Sequence, residues 1–550
     1  MHWASALTLL MNGRVILAIA GGSIVGLLLG SLPGLGPVFV LTVLLAVSAR
    51  FPTLVALTFL VSAYTAAVLG GAITAVVFNV PGHPGNIATT FDGPPMAQSG
   101  RAGEAVVAIG LSGAVGGLLS ALTLIFGAPL IVDVALHLQP VDYFLLAMIA
   151  LTMIVVFSRR HLVGGLLLGG LGFVIATVGP DPITGNNRFT FGSSFLQANG
   201  VPLSLIAVGL FAIGSGLVMI EQTTGRSKSE QLSRPVSLRA GMGRGIRAVA
   251  AHPVSVVRAS VVGIVLGLVP GMGVTVSNLA AYELEKRFKP DAPWGRGHVV
   301  GVMAPEAADA GTLISELMPA FALGIPGAVT SALMLDALLL HGLVPGPGFF
   351  SSGPTVVAFL LAIPICQLVN AILGIAVAPL VVRMARIPHA VVGPAVIVLG
   401  AVAAYVVNGS ISDVVVAFAF GIIGYSILKL KLPLAPLALG ALLGPLAETN
   451  FRRVQEISAA NHGNAFLQPL PLVLLLVGAG ALFGPAVFRL QNRARRGYGH
   501  RGAGDAALES DMGNSKVSDR KVSSRVGGLS AVPTADDRAT NGPDAPGTQL

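Results

Sequence analysis

GVMAPEAADAGTLISELMPAFALGIPGAVTSALMLDALLLHGLVPGPG, residues 301–348, lies in a run from Val300 to Phe350 that is apolar enough for a lipid bilayer. It nevertheless carries Glu306, Asp309, Thr312, Glu316, Asp336 and His341, and is interrupted by Pro305, Pro319, Pro326 and Pro345. Ionisable groups at membrane depth are costly and mark function by default. Backbone freed by Pro and Gly is tolerated there only where it is buried in protein or lines a cavity. The stretch predicts broken helices around a translocation site in an all-α polytopic membrane protein.

The composition outside the stretch agrees. The 550 residues are 54% hydrophobic and 10% charged, against about 25% charged in ordinary globular chains. Of the 57 charges, 16 fall in the last 60 residues, so a polytopic core precedes a polar tail. The net charge of +9 lacks the aromatic–basic clusters of a nucleic-acid binder. Its arginines gather between apolar runs, as the positive-inside bias requires. A single cysteine, Cys366, excludes an intramolecular disulfide and a cysteine metal cluster. The N-terminus has no small-residue cleavage site and reads as a retained membrane segment.

Two apolar runs, Val15 to Leu29 and Val38 to Val47, flank GSLPGLGP, residues 30–37. Each is short of the roughly 20 residues a crossing needs, so the pair predicts a re-entrant hairpin with Pro33 and Gly34 at its tip. Leu54 to Val80 runs into Asn79, Pro81, Gly82, His83, Pro84, Gly85 and Asn86, then a polar loop with Thr89, Thr90 and Asp92. Plainer spans follow at Ala105–Val134, Phe144–Phe157, Leu162–Val178 and Leu203–Met219. Glu221 to Arg258, rich in arginine, reads as a cytoplasmic connection.

The device then recurs. GLVPGMG, residues 267–273, aligns with residues 30–36 at an offset of 237, and Ile325-Pro326-Gly327 echoes Val80-Pro81-Gly82 at an offset of 245. Broken segments at corresponding places in two halves point to a transporter site. The second hairpin has basic residues on both flanks, whereas the first has only Arg14 and Arg50. This difference predicts inverted repeats. Later spans are expected at Val356–Val381, Ala390–Val407, Val414–Leu428, Leu432–Leu446 and Leu470–Phe488, making about 10–12 crossings by length. Arg452 and Arg453 fall on the outer side by this count, against the bias. The organisation expected is a first repeat over 1–221, a basic linker over 222–258, a second repeat over 259–490 and a disordered cytoplasmic tail over 491–550.

Pro33-Gly34, Pro81-Gly82, Pro270-Gly271 and Pro326-Gly327 can each end one helix and open another, and helix N-termini favour anions. Asn79, Asn86, Thr89, Thr90, Thr275, Ser277 and Asn278 lie beside these tips. Their donors suit a carboxylate and their oxygens a desolvated Na⁺, although Ser, Thr and Asn also bond helix to helix. Glu306, Asp309 and Glu316 share broadly one helical face. With Asp92 and Thr312 they are the candidates for coupling a cation, unless Glu306 merely caps a half-helix begun at Pro305. No P-loop lysine, HExxH or GxSxG is present, so no enzyme is expected. No cofactor is expected beyond Na⁺ as a possible coupling ion with unknown ligands.

These motifs resemble the tripartite tricarboxylate transporter family, in its large TctA-type permease subunit. The matching stretches are GSLPGLGP, residues 70–105 (GGAITAVVFNVPGHPGNIATTFDGPPMAQSGRAGEA), GLVPGMG with AAYELEKRF, and the opening stretch. The resemblance implies a bacterial inner-membrane secondary transporter driven by a cation gradient. It also implies a small TctB-like membrane subunit, a TctC-like periplasmic solute-binding protein and an organic carboxylate substrate. The family pattern has two amides where this chain has Asp309 and Ala310, and a small residue at Asp336. A passive anion channel or a structural membrane scaffold is the alternative from another class.

Overall fold

The computed structural model describes residues 3–32, 35–157, 162–181, 183–222, 238–384, 387–461, 466 and 468–476. Pro33, Gly34, residues 223–237, most of the span expected at Leu470–Phe488 and the whole tail from 491 lie outside the described residues. Residues Met1–Leu482 form one compact unit.

The described residues are mostly helical, with one two-residue strand pair among them, Gly179–Pro180 against Asn187–Arg188. Its helices are α1 (Trp3–Leu10), α2 (Gly13–Gly30), α3 (Pro37–Ser48), α4 (Thr53–Phe78), α5 (Thr89–Gln98), α6 (Ala102–Leu136), α7 (Pro140–Phe157), α8 (Leu162–Ala176), α9 (Ser194–Asn199), α10 (Leu203–Ala207) and α11 (Gly214–Gln222). The second half holds α12 (Leu238–Ala251), α13 (Pro253–Gly267), α14 (Gly273–Phe288), α15 (Val300–Ser315), α16 (Leu317–Leu323), α17 (Val329–Leu340), α18 (Pro354–Met384), α19 (His389–Asn408), α20 (Ile411–Lys429) and α21 (Ala435–Asn461). A short helical turn, Pro84–Asn86, precedes α5, and a wide π-helical turn, Val208–Ile213, joins α10 to α11.

Among the described residues six helices are long and apolar enough to cross a bilayer, and α12 with α13 forms one more pair, bent by 75°. The chain is thus an all-α polytopic membrane protein. The pair expected as a re-entrant hairpin has unequal arms, and its first arm, α2, is itself one of the six helices long enough to cross. Gly13 and Arg14 extend α2 beyond its apolar run to 18 residues, about 27 Å of rise, while α3 has 12 residues. The arginine-rich connection is helical from Leu238, because Gly241 and Gly245 let α12 lie against the backbone of α6 at Gly103 and Glu104. Arg244 then reaches Glu104 at 3.4 Å.

Packing recurs at the offsets seen in the sequence. On α2, a Cβ at Gly26 would sit 2.0 Å from the Ala63 carbonyl oxygen, and one at Gly30 would sit 2.3 Å from that of Ala67. On α13, 237 residues later, a Cβ at Gly263 would sit 2.1 Å from the Ala308 oxygen, and one at Gly267 would sit 2.7 Å from that of Thr312. Ala308 and Thr312 stand 245 residues after Ala63 and Ala67. Small residues let backbones close in where no hydrophobic force drives helices together. Contacts between halves are reciprocal as well: α4 packs on α18 and α15 on α6, α1 on α18 and α12 on α6, α2 on α18 and α13 on α6. The last helices are exchanged, since α21 packs on α7 and α8, and α11 on α19 and α20.

Arg452 sits in a group of four charges. It lies 2.8 Å from Asp181 and 2.6 Å from Glu448, and Arg188 reaches both acids, at 3.3 and 2.5 Å. These pairs neutralise Arg452 where it stands, so it is a poor guide to the side of the membrane. They also fasten the strand pair to α21.

Candidate functional site

The turns at Pro81-Gly82 and Pro326-Gly327 are each held by the earlier glycine-rich turn of the same half. Gly271 has φ +85°, a left-handed conformation that glycine adopts without steric cost, and its N–H donates to the Gly327 carbonyl at 2.9 Å. A Cβ at Gly82 would fall 2.2 Å from the Cα of Gly71 and 3.1 Å from the Gly30 oxygen. The halves meet one step further along the chain. Residues 84–86 and α5 cross onto α14 and α15, and α17 crosses onto α3 and α4.

At the first of these crossings lies a buried polar network. Glu306 Oε1 accepts from Thr89 Oγ1 at 2.5 Å and from Asn86 Nδ2 at 3.0 Å. The same Nδ2 reaches Asp309 Oδ2 at 3.4 Å. Asn278 Oδ1, on α14, accepts the Ala88 N–H at 3.0 Å. Asn86, Thr89, Asn278 and Asp309 are fully buried, and Glu306 is buried as well. Glu306 and Asp309 are one helical turn apart on α15, so the shared face read from their spacing is real.

His83, which the sequence reading quoted without selecting, completes the network. Its Nδ1 accepts the Gly85 N–H at 3.1 Å, so the neutral ring carries its proton on Nε2. Nε2 lies 3.1 Å from Asp309 Oδ2 without the alignment of a full hydrogen bond. Gly85 is needed beneath this pair: a Cβ there would meet His83 Cε1 at 2.3 Å and the Asp309 oxygens at 2.8 and 2.9 Å. The signal available in the sequence was the position of His83 inside PGHPG, between two turn-forming pairs.

Other candidates are engaged elsewhere. Asp92 accepts from Tyr282 Oη at 2.9 Å and from the Gly297 and His298 N–H groups at 2.9 and 2.8 Å, pinning the approach to α15. Thr312 Oγ1 lies within hydrogen-bond reach of the Gly263 and Ala308 carbonyls in the α13–α15 seam and of Ser277 Oγ at 2.7 Å. Thr90 bonds the Ile87 carbonyl, and Asn79 is an exposed left-handed cap of α4. Glu316 stands at the break between α15 and α16, where Thr330 donates to it beside Gly327. Pro305 does not break the chain: α15 begins at Val300 and runs through it, so Glu306 is interior and caps nothing. Proline there forfeits one helical hydrogen bond, which close neighbours in a membrane protein can accommodate.

The network holds buried groups of opposite hydrogen-bonding sense. Asn86 Oδ1 and Asp309 Oδ1 are acceptors, and Asn278 Nδ2 a donor, with no partner among the described residues. Leaving such groups unmade costs about 1–3 kcal/mol each, which a ligand and its counter-ion would recover. Among the described residues no group of three His, Cys, Asp or Glu is placed to hold a metal ion.

Residues 16–439 match the model of the family described as "Tripartite tricarboxylate transporter TctA family". The chain is 32% identical to an "Uncharacterized 52.8 kDa protein in TAR-I ttuC' 3'region" of Agrobacterium vitis over 466 residues, 83% of this chain and 90% of the relative. It is 33% identical to an "Uncharacterized protein in TAR-II ttuC' 3'region" of the same organism over 218 residues, 39% of this chain and 90% of that one. No solved structure matches it. The chain belongs to the tripartite tricarboxylate transporter TctA family and is a multi-pass membrane component of such a transporter.

Proposed function

We propose that the chain is the large permease subunit of a binding-protein-dependent secondary transporter, importing a di- or tricarboxylate across a bacterial inner membrane with a cation gradient. A small membrane subunit and a periplasmic solute-binding protein complete it. Two transmembrane repeats, 1–221 and 259–490, inverted about the linker 222–258, form the carrier, with the tail on the cytoplasmic side. The observation that carries this reading is the crossing of residues 83–89 with α14 and α15. Carboxylates, amides and a hydroxyl are buried there together, with unmet acceptors and an unmet donor among them. Two acids alone would repel an anion. With a cation or proton between them and the substrate, the same site would attract one.

Asn86, Thr89 and Asn278 supply polar groups for the substrate in this scheme. Glu306 and Asp309 take the cation, His83 holds Asp309 in place, and the Pro-Gly turns at 81–82, 270–271 and 326–327 shape the backbone around them. Uptake of carboxylates into proteoliposomes, with the cognate binding protein and imposed Na⁺ or pH gradients, tests the reading. Uptake that follows one gradient is expected. Uptake indifferent to both would favour a passive channel, and none at all, across a panel of carboxylates, would favour a scaffold.

A further inference from the structure

The exposed side of α12 is as regular as its packed side. The helix, LRAGMGRGIRAVAA, holds three arginines and no acid. Gly241 and Gly245 turn to α6. About a quarter turn away at 3.6 residues per turn stand Met242 and Ile246, both exposed. Arg244 and Arg247, exposed as well, project on the side broadly opposite to that pair. The helix is bent by 75° against α13. On α13 the exposed Val254, Val257, Val261 and Val265 form one apolar stripe, while Gly263 and Gly267 pack on α15. In a membrane protein such a stripe faces lipid. Were α12 to continue that span, its arginines would sit at membrane depth, where charge is costly. Laid across it, α12 has the pattern of an interfacial amphipathic helix, apolar toward the acyl chains and basic toward the headgroups.

Other basic residues gather at the same end. Arg258 pairs with Glu285 at 2.6 Å, bringing the end of α14 to the start of α13. Lys286 there has Glu283 at 4.0 Å, while Arg287 and Lys289 have no ion pair among the described residues. Arg247 has none either. Its Nε donates to the Gly243 carbonyl at 3.0 Å, which leaves both Nη groups as an open fork of the kind that matches a phosphate. The corresponding helix of the first half, α1, packs on α18 as α12 packs on α6, yet it carries no charged residue. Seating the helix therefore does not require Arg247.

We propose that α12 binds the phosphates of anionic phospholipid headgroups through Arg247, supported by Arg244, while Met242 and Ile246 enter the acyl chains of the same leaflet. The inference rests on the membrane fold and stands apart from the transport reading. The test uses the full-length protein in liposomes with a fluorophore on Met242→Cys, and separately on Ile246→Cys. The native Cys366 is fully buried and is left in place. Brominated phosphatidylcholine and brominated phosphatidylglycerol serve as quenchers. Both lipids are expected to quench, with phosphatidylglycerol favoured at least about fivefold, the order expected for one arginine near the headgroups. That preference should fall about fivefold in Arg247→Gln, persist in Arg247→Lys and collapse in about 0.5 M NaCl. A label that neither lipid quenches would mean that protein or water covers this face, and overturns the proposal. Equal quenching by the two lipids overturns it too, as does a preference that Arg247→Gln leaves unchanged. Arg247 is exposed and bonds only its own helix, so its variants should fold as the wild type does. The measurement needs no substrate, and a failure of carboxylate uptake would leave its result standing.

Discussion

Replacing Gly85 by alanine places a methyl carbon 2.3 Å from His83 Cε1 and 2.8 Å from Asp309 Oδ2. Ordinary van der Waals contact begins near 3.4 Å, so the ring must retreat by about 1 Å and the carboxylate by about half that. Asn86 Nδ2 is already 3.4 Å from Asp309 Oδ2 and cannot follow without losing the bond. His83 loses its 3.1 Å approach to the same oxygen. One long hydrogen bond and one misaligned polar contact amount to about 1–2 kcal/mol, or about 5–30-fold in an equilibrium. Gly85→Ala should therefore lower the efficiency of carboxylate uptake in proteoliposomes by about that factor, with a fall in melting temperature in detergent of a few degrees. Gly21→Ala is the control, since its Cβ meets nothing within 4 Å; it should transport normally and melt no lower. Wild-type uptake by Gly85→Ala would show that the contact of His83 and Asn86 with Asp309 has no part in transport.

Three further outcomes are expected. Gly26→Ala and Gly263→Ala each drive a methyl into a backbone carbonyl, at 2.0 and 2.1 Å, and should each cost about 1–3 kcal/mol of stability by detergent thermal melts. A large loss in one with none in the other would break the equivalence of the two seams. Glu306→Gln keeps the shape and removes the charge, so uptake should lose its dependence on the cation gradient while membrane insertion stays normal; an unchanged requirement would leave Glu306 a structural role. Finally, the Thr184 and Ile183 amides, with Arg452, hold the Asp181 carboxylate well below the usual range. A depressed folded pKa stabilises above the unfolded value, about 3.9, and that stability is lost as pH falls through the folded one. Melting temperature should drop below about pH 4 and Asp181→Asn should flatten that drop; parallel curves for the two proteins would exclude the linkage.

What the sequence could disclose followed from how local each cause was. Glycine seams and Pro-Gly turns are written in short motifs, and the offsets of 237 and 245 reappear as matched close approaches at Gly26 and Gly263. Glu306 and Asp309 could be paired from helical spacing alone. Glu316 could not be excluded that way, because α15 ends at Ser315 and the face is lost at the break. Pro305 read as a break because a lone proline in sequence does not reveal the neighbours that surround it. His83 was passed over because a histidine between two turn pairs looks like loop surface, and only the crossing with α15 buries it. Arg452 misled the topology count because its partner Asp181 is 271 residues away.

The matched scaffold does not carry a matched site, and this has a mechanistic consequence. Subtracting 245 from Glu306 and Asp309 gives Val61 and Tyr64, and subtracting it from Glu316 gives Gly71. The first half thus has no acid at the places where the second half has three. Tyr64 instead donates to the Leu313 carbonyl at 2.6 Å, anchoring α4 to the acidic helix. Conversely, His83 and Asn86 correspond to Ala328 and Ser331, and Ser331 spends its hydroxyl on the Ala328 N–H and carbonyl. One half therefore brings the charge and the other brings the imidazole, amide and hydroxyl that meet it. Any movement of one half against the other must stretch the bonds from Asn86 and Thr89 to Glu306 and the contact between His83 and Asp309. Protonating or neutralising the acids weakens those same bonds. On the proposed reading, the site that would bind the ligands is in this way also the fastening between the halves, so its occupancy would be coupled to their movement.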